Sequence, residues 1–264
     1  MGDYQTIKVG IEDRTAILTV DNPPANAFNS QQMQDLEAAF DEVTADEQVK
    51  VIIITAAGQI GMAGADIKEI AQMIEPQDKE LAYDMLRGGH RVFGKIERSS
   101  KPVIAAMTGR FWLGGGNELA MACHLRLAED GVQLGQPEIK WAMMPGWGGT
   151  QRLPRLVGKA SALEIILGGG NIKAPEAYRI GLVNKVVPVG SVIREAKRWA
   201  KLLSMWSAPT LAAILRSVNE GLEMSLEEGL ENEARLFSEL VETEDMHEGV
   251  SSFIEKRRPN FQDK

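Results

Sequence analysis

A repeated switch between short apolar runs and longer amphipathic stretches constrains the fold of this chain more than any other feature. Thr15 to Val20, Val51 to Thr55 and Pro102 to Ala106 are β-branched or apolar and read as buried strands. Gln31 to Thr44 reads as a helix between the first two, Asp78 to Ile96 as a longer helix, and Glu118 to His124 as a short helix just behind three glycines. Strand-helix alternation predicts an α/β core with functional turns at the strand ends. From Gly146 onward the chain is mostly helical, broken at Gly168 to Gly170, with one further short strand at Asn184 to Pro188. Leu226, Leu230, Ala234, Phe237 and Val241 share one face of a late helix, with Glu227, Glu228, Glu231 and Glu233 elsewhere. That pattern predicts packing, and the simplest expectation is packing within the chain.

Two carboxylates lie in glycine-flanked settings. Glu118 follows Gly114-Gly115-Gly116-Asn117, and Glu138 follows Gly135-Gln136-Pro137 in a segment that continues to Pro145-Gly146-Trp147-Gly148-Gly149. A pair of glutamates can divide proton abstraction from proton donation if their environments separate their pKa values. Upstream, Ala63-Gly64-Ala65-Asp66-Ile67-Lys68-Glu69 forms another small-residue turn. One N–H group from each turn would make a site for a developing oxyanion. Taken singly, each turn is equally consistent with glycine used only for its backbone freedom. Gln136 is expected to orient the second acid, and Gly146 to offer a backbone contact near a bound water.

The 264 residues are 44% hydrophobic and carry a formal net charge of −8, which suits a globular chain and disfavours nonspecific binding to nucleic acid or anionic membranes. No apolar run approaches the ~20 residues that span a bilayer, and the first residues resemble neither a secretory signal nor a transit peptide, so a cytoplasmic location is expected. One cysteine, Cys123, excludes an internal disulfide and reads as core. His90, His124 and His247 have no metal-ligand spacing, and no metal site is expected. Neither a G-x-G-x-x-G fingerprint after a strand nor a Walker motif is present, which disfavours nicotinamide and nucleoside-triphosphate chemistry.

In this order, the Ala63 turn, the Gly114 turn and the Glu138 segment resemble the crotonase superfamily, and within it the enoyl-CoA hydratases. The similarity runs from Asn22-Pro23-Pro24-Ala25-Asn26-Ala27 to Phe253-Ile254-Glu255-Lys256-Arg257-Arg258. The resemblance implies an α/β fold with a crotonase-like ββα spiral core over 1–195 and a helical C-terminal oligomerisation region over 196–264. It implies an acyl-CoA thioester substrate, no cofactor beyond the CoA carried by that substrate, and a homo-oligomer, either a trimer or a dimer of trimers. The implied oxyanion donors are the N–H groups of Ala65 and Gly115. Glu118 is assigned to water activation and Glu138 to protonation of the α-carbon. Ala63, Ile67 and Lys68 correspond to the segment that curves around the CoA, and Phe253 and Lys256 are expected from a neighbouring subunit.

Several residues depart from the family pattern. Ile60-Gly61-Met62 replaces a basic and aromatic lead-in, and Trp147 stands where straight-chain hydratases often carry a small residue. With Phe111 and Trp112 before the glycines, Trp147 suggests an aromatic wall that shortens the acyl pocket or favours a flat, cyclic acyl group. The expected reaction is reversible syn hydration of a 2-trans-enoyl-CoA to a 3-hydroxyacyl-CoA. Alternatives are a cyclic dienoyl-CoA hydratase, an enoyl-CoA isomerase, a decarboxylase or hydrolase of the same fold, and a noncatalytic RNA-binding relative, which the acidic charge disfavours.

Overall fold

The computed structural model describes residues 2–264. The chain opens with a hairpin, β1 (Ile7–Glu12) and β2 (Thr15–Val20), followed by α1 (Ser30–Ala45). Three turns of one motif then follow. The first contains β3 (Val51–Ala56), β4 (Gly61–Met62), α2 (Ile67–Ile74) and α3 (Lys79–Glu97). The second contains β5 (Val103–Met107), β6 (Phe111–Leu113) and α4 (Gly115–Ala122). The third contains β7 (Leu125–Glu129), β8 (Gln133–Gly135) and a 3-10 turn at Glu138–Trp141. Each turn gives one strand to each of two sheets, so β3, β5 and β7 lie side by side in one and β4, β6 and β8 in the other, all parallel.

The remaining elements are α5 (Gly149–Val157), α6 (Lys159–Gly168), β9 (Asn171–Lys173), α7 (Ala174–Arg179), β10 (Lys185–Val187), α8 (Val192–Leu203), α9 (Ala208–Gly221), α10 (Leu226–Leu240) and α11 (Glu244–Ile254). Among the described residues, the larger sheet has the order β1-β2-β3-β5-β7-β10 and the smaller β4-β6-β8-β9.

Every residue of β3 and β5 is buried, as expected of parallel strands covered on both faces. Side chains alternate across the sheet. Val51, Ile53, Ile104, Ala106 and Leu127 meet Val192, Ala196 and Ala200 of α8, while Ile52, Ile54, Val103, Ala105 and Met107 join the core containing Leu36 and Phe40 of α1 and Phe93 and Ile96 of α3. The predicted strands and both long helices are present within a residue or two.

Two expectations need correction. The short helix begins at Gly115 rather than Glu118 and ends before His124. Gly114, at φ 51°, turns the chain, and its carbonyl accepts the Glu118 N–H at 2.9 Å, closing the first helical turn three residues early. The apolar face of α10 is also not packed within the chain. Leu226, Leu230, Ala234, Phe237 and Val241 are all exposed, and the buried positions of α10 are Asn232 and Leu236, one helical turn apart on another face. No helix among the described residues is long and apolar enough to cross a membrane.

Candidate active site

The turn before α2 is held in place by the segment leading into α1. Ala63 N–H donates to the Ala25 carbonyl at 3.1 Å, Phe28 N–H to Gly64 at 2.8 Å, and Asp66 N–H to Phe28 at 2.7 Å. Asn26 is buried, and its Nδ2 donates to both Ala57 and Gly61 carbonyls, bracing the loop between β3 and β4. Asp66 then caps α2 by accepting the Lys68 N–H.

Gly64 has φ +101°, and a Cβ there would come 3.1 Å from the Leu113 carbonyl oxygen and 3.7 Å from the Gly115 nitrogen. The close approach of the two turns therefore depends on this glycine. Neither the Ala65 nor the Gly115 N–H donates to a backbone acceptor among the described residues. Gly115 is also the first residue of α4, where N–H groups have no intrahelical partner and the helix dipole favours negative charge. The turns thus retain two unspent donors beside one another.

Glu118 is 2% exposed. Its Oε1 accepts the N–H groups of Trp147 at 2.8 Å and Gly149 at 2.7 Å, both from the turn before α5. Burial raises its pKa to about 7, opposed by the Gly149 hydrogen bond and reinforced by the charge of Glu138. Glu138 opens the 3-10 turn after β8, and a Cβ on Gly114 would lie 2.8 Å from its Oε1. Burial raises its pKa as well, and its Oε2 is buried without a protein partner. Both carboxylates are therefore poised to hold a proton nearer neutrality than an exposed glutamate does.

The structure brings together Glu118, Glu138, Gln136, Trp147 and the Ala65 and Gly115 turns. Gln136 is fully buried with both side-chain heteroatoms unpartnered, and its Nε2 flanks the same Gly149 that holds Glu118. The amides that hold Glu118 come from Trp147 and Gly149, and Gly146 lies in the same turn, close to Leu86. Ala63, Ile67 and Lys68 are exposed beside the first turn. Phe253, 85% exposed on α11, and exposed Lys256 just beyond it stand outside the constellation within one chain.

Sequence reasoning missed Asn117, fully buried with both amide atoms unpartnered, and Arg152. Arg152 donates to the Trp147 carbonyl at 3.0 Å and pairs in a fork with Glu97 at 2.9 and 2.7 Å. It thereby pins the turn whose amides hold Glu118. The Thr150-Gln151-Arg152 run after the double glycine was its only local signal. Cys123 is buried, with its thiol pushed up to about 12, as suits a core residue. His124 accepts the Val103 N–H at Nδ1 and faces the Glu97 carbonyl with Nε2, a structural clamp between elements. A cavity of about 870 Å³ between α3 and α5 is lined by Arg87, Arg91, Arg98, Arg152 and Arg155, but contains neither catalytic candidate.

Known proteins share this architecture. Residues 10–264 match the family model described as enoyl-CoA hydratase/isomerase. A probable enoyl-CoA hydratase, echA8, from Mycobacterium tuberculosis is 43% identical over 259 residues, 98% of each chain. The short-chain-enoyl-CoA hydratase of Clostridium acetobutylicum is 40% identical over 251 residues, 94% of each. The crystal structure of an enoyl-CoA hydratase from Bacillus anthracis superposes with a TM-score of 0.92 at 32% identity, covering 98% of this chain and 100% of that one. The repeated strand-strand-helix turns are thus the crotonase fold, and the chain belongs to the enoyl-CoA hydratase/isomerase family.

Proposed function

We propose that this chain catalyses reversible syn addition of water to a 2-trans-enoyl-CoA, giving a 3-hydroxyacyl-CoA. The observation that carries this reading is the meeting of the buried Glu118 and the half-buried Glu138, both with raised pKa, at turns that keep the Ala65 and Gly115 donors unspent.

The thioester oxygen would accept from Ala65 and Gly115, where charge develops as water adds to carbon 3. Loss of one such donor typically costs ~3 kcal/mol in the transition state. Glu118, held as an acceptor by two amides, takes the proton from water. Glu138, whose Oε2 has no donor to stabilise a negative charge, delivers a proton to carbon 2. The reaction so drawn calls for no metal or redox group, and CoA enters as part of the substrate. Lys68, together with Lys256 from a neighbouring copy, would meet the CoA phosphates, and the region 196–264 would build the oligomer. The exposed apolar face of α10 supports that assembly.

The test is loss of the conjugated enoyl-thioester absorbance on adding protein to crotonyl-CoA, with Glu118→Gln and Glu138→Gln in parallel. Rapid loss in the parent, abolished in both variants, is expected. A folded but inactive parent overturns the reading. Shift of a 3-enoyl to a 2-enoyl thioester without hydration would replace it by isomerisation, for which one glutamate suffices.

A further inference from the structure

We infer that the Trp147 indole is a braced end-stop of the acyl pocket, making this a short-chain acyl-CoA enzyme; the inference rests on the hydratase reading above. The ring lies between two glycines on different helices. A Cβ on Gly115 would come 2.6 Å from its Cζ3 and 2.7 Å from its Cε3, and a Cβ on Gly89 of α3 would overlap its Cδ1 and Nε1. An indole fits only because both positions lack side chains.

The ring has little freedom to swing aside. Phe28 and Phe93 meet it edge to face, with centroids 5.6 and 5.9 Å away. Both phenylalanines are themselves buried, at 2% and 0% exposure. The Trp147 backbone is fixed at both ends, by Glu118 on its N–H and Arg152 on its carbonyl.

This placement locates the wall relative to the reacting atoms. With the thioester oxygen at Gly115 and carbon 3 beside Glu118, the indole borders both residues, touching the first and hanging from the backbone that holds the second. A substituent on carbon 3 therefore grows toward the ring. A methyl group ends before the wall; a long alkyl chain has to displace it.

Binding of saturated acyl-CoA thioesters, which cannot be hydrated, separates this inference from the chemistry. In an open apolar pocket each added buried methylene strengthens binding about fourfold. Butyryl-, hexanoyl- and decanoyl-CoA would be titrated calorimetrically into the parent, Trp147→Ala and Trp147→Leu, with turnover of the matching 2-enoyl thioesters alongside. The parent is expected to bind decanoyl-CoA at least about tenfold more weakly than butyryl-CoA, and either folded variant to reverse that order. The ratio of kcat/KM for the ten-carbon over the four-carbon substrate rises correspondingly in the variants. Affinity that climbs with chain length in the parent, or an unchanged ranking in a folded variant, overturns the end-stop. Selective binding without turnover of any chain length would instead overturn the hydratase reading and leave the end-stop standing.

Discussion

The Trp147 N–H donates to Glu118 Oε1 at 2.8 Å, so the residue whose ring borders the Gly115 turn also orients the buried carboxylate with its backbone. Arg152 secures the arrangement by holding the Trp147 carbonyl. The wall and the acid are consequently parts of one turn, and changes to either are read through the other.

Glu118 has a measurable cost in stability. Burial raises its pKa to about 7 in the folded protein from the ordinary 4.5, so between those pH values the unfolded chain is ionised while the folded one holds the proton. Stability is therefore fullest below the unfolded pKa, falls as pH rises, and levels off above the folded pKa. The full difference is on the order of 3 kcal/mol. Glu118→Gln removes this titration and keeps an acceptor for the two amides. Thermal unfolding is expected to show the variant gaining stability over the parent as pH rises from 5 to 8, with little difference at pH 4.

Arg152 acts on Glu118 by charge and by position. Its guanidinium lowers the Glu118 pKa, and its hydrogen bond to Trp147 keeps the donor turn in place. Arg152→Gln is expected to move the acid limb of kcat/KM upward by about half a unit or more and to reduce the plateau roughly tenfold. A purely structural role would lower the plateau without moving the limb. A full pH-rate profile distinguishes the two.

Adjacent glycines should fail differently. A Cβ on Gly115 meets the Trp147 ring beside the proposed oxyanion donor, whereas one on Gly116 comes 2.6 Å from Met62 Cβ and 3.0 Å from the Met62 carbonyl oxygen. Gly115→Ala, whose Cβ strikes the braced ring and displaces the donor turn, is expected to cut kcat by about a hundredfold or more and also to lower stability by about 1 to 3 kcal/mol. Gly116→Ala is expected chiefly to destabilise, by about 1 to 3 kcal/mol, because α4 has to move away from β4. Paired melting and turnover measurements check the contrast.

The exposed stripe on α10 bears on assembly. Leu230 and Phe237 are 55% and 59% exposed in the single chain. If this face packs subunits together, Leu230→Glu combined with Phe237→Glu lowers the mass measured by light scattering to that of a smaller species. An unchanged mass would show that α10 is not at the contact.

Much of the layout was legible in sequence because its signals are local. Apolar runs such as Val51 to Ala56 mark buried strands through composition, and the long helices through period. Gly64 and Gly114 announce turns because other residues resist their backbone angles. The smaller sheet was not legible. Its strands β4, β6 and β8 have two or three residues each, too few for any periodicity to register.

The order of the longer strands and helices, the glycine turns and the two candidate acids were determined by the sequence itself, since each depends on residues close together along the chain. Only the tertiary structure decided that Trp147 and Gly149 hold Glu118, that Gly89 makes room for the Trp147 ring, and that the apolar face of α10 stays uncovered. The physical reason is that burial, and the pKa shifts and hydrogen bonds that follow from it, depend on atoms brought together from distant segments. Local pattern shows that a helix has an apolar face; packing determines what, if anything, covers it.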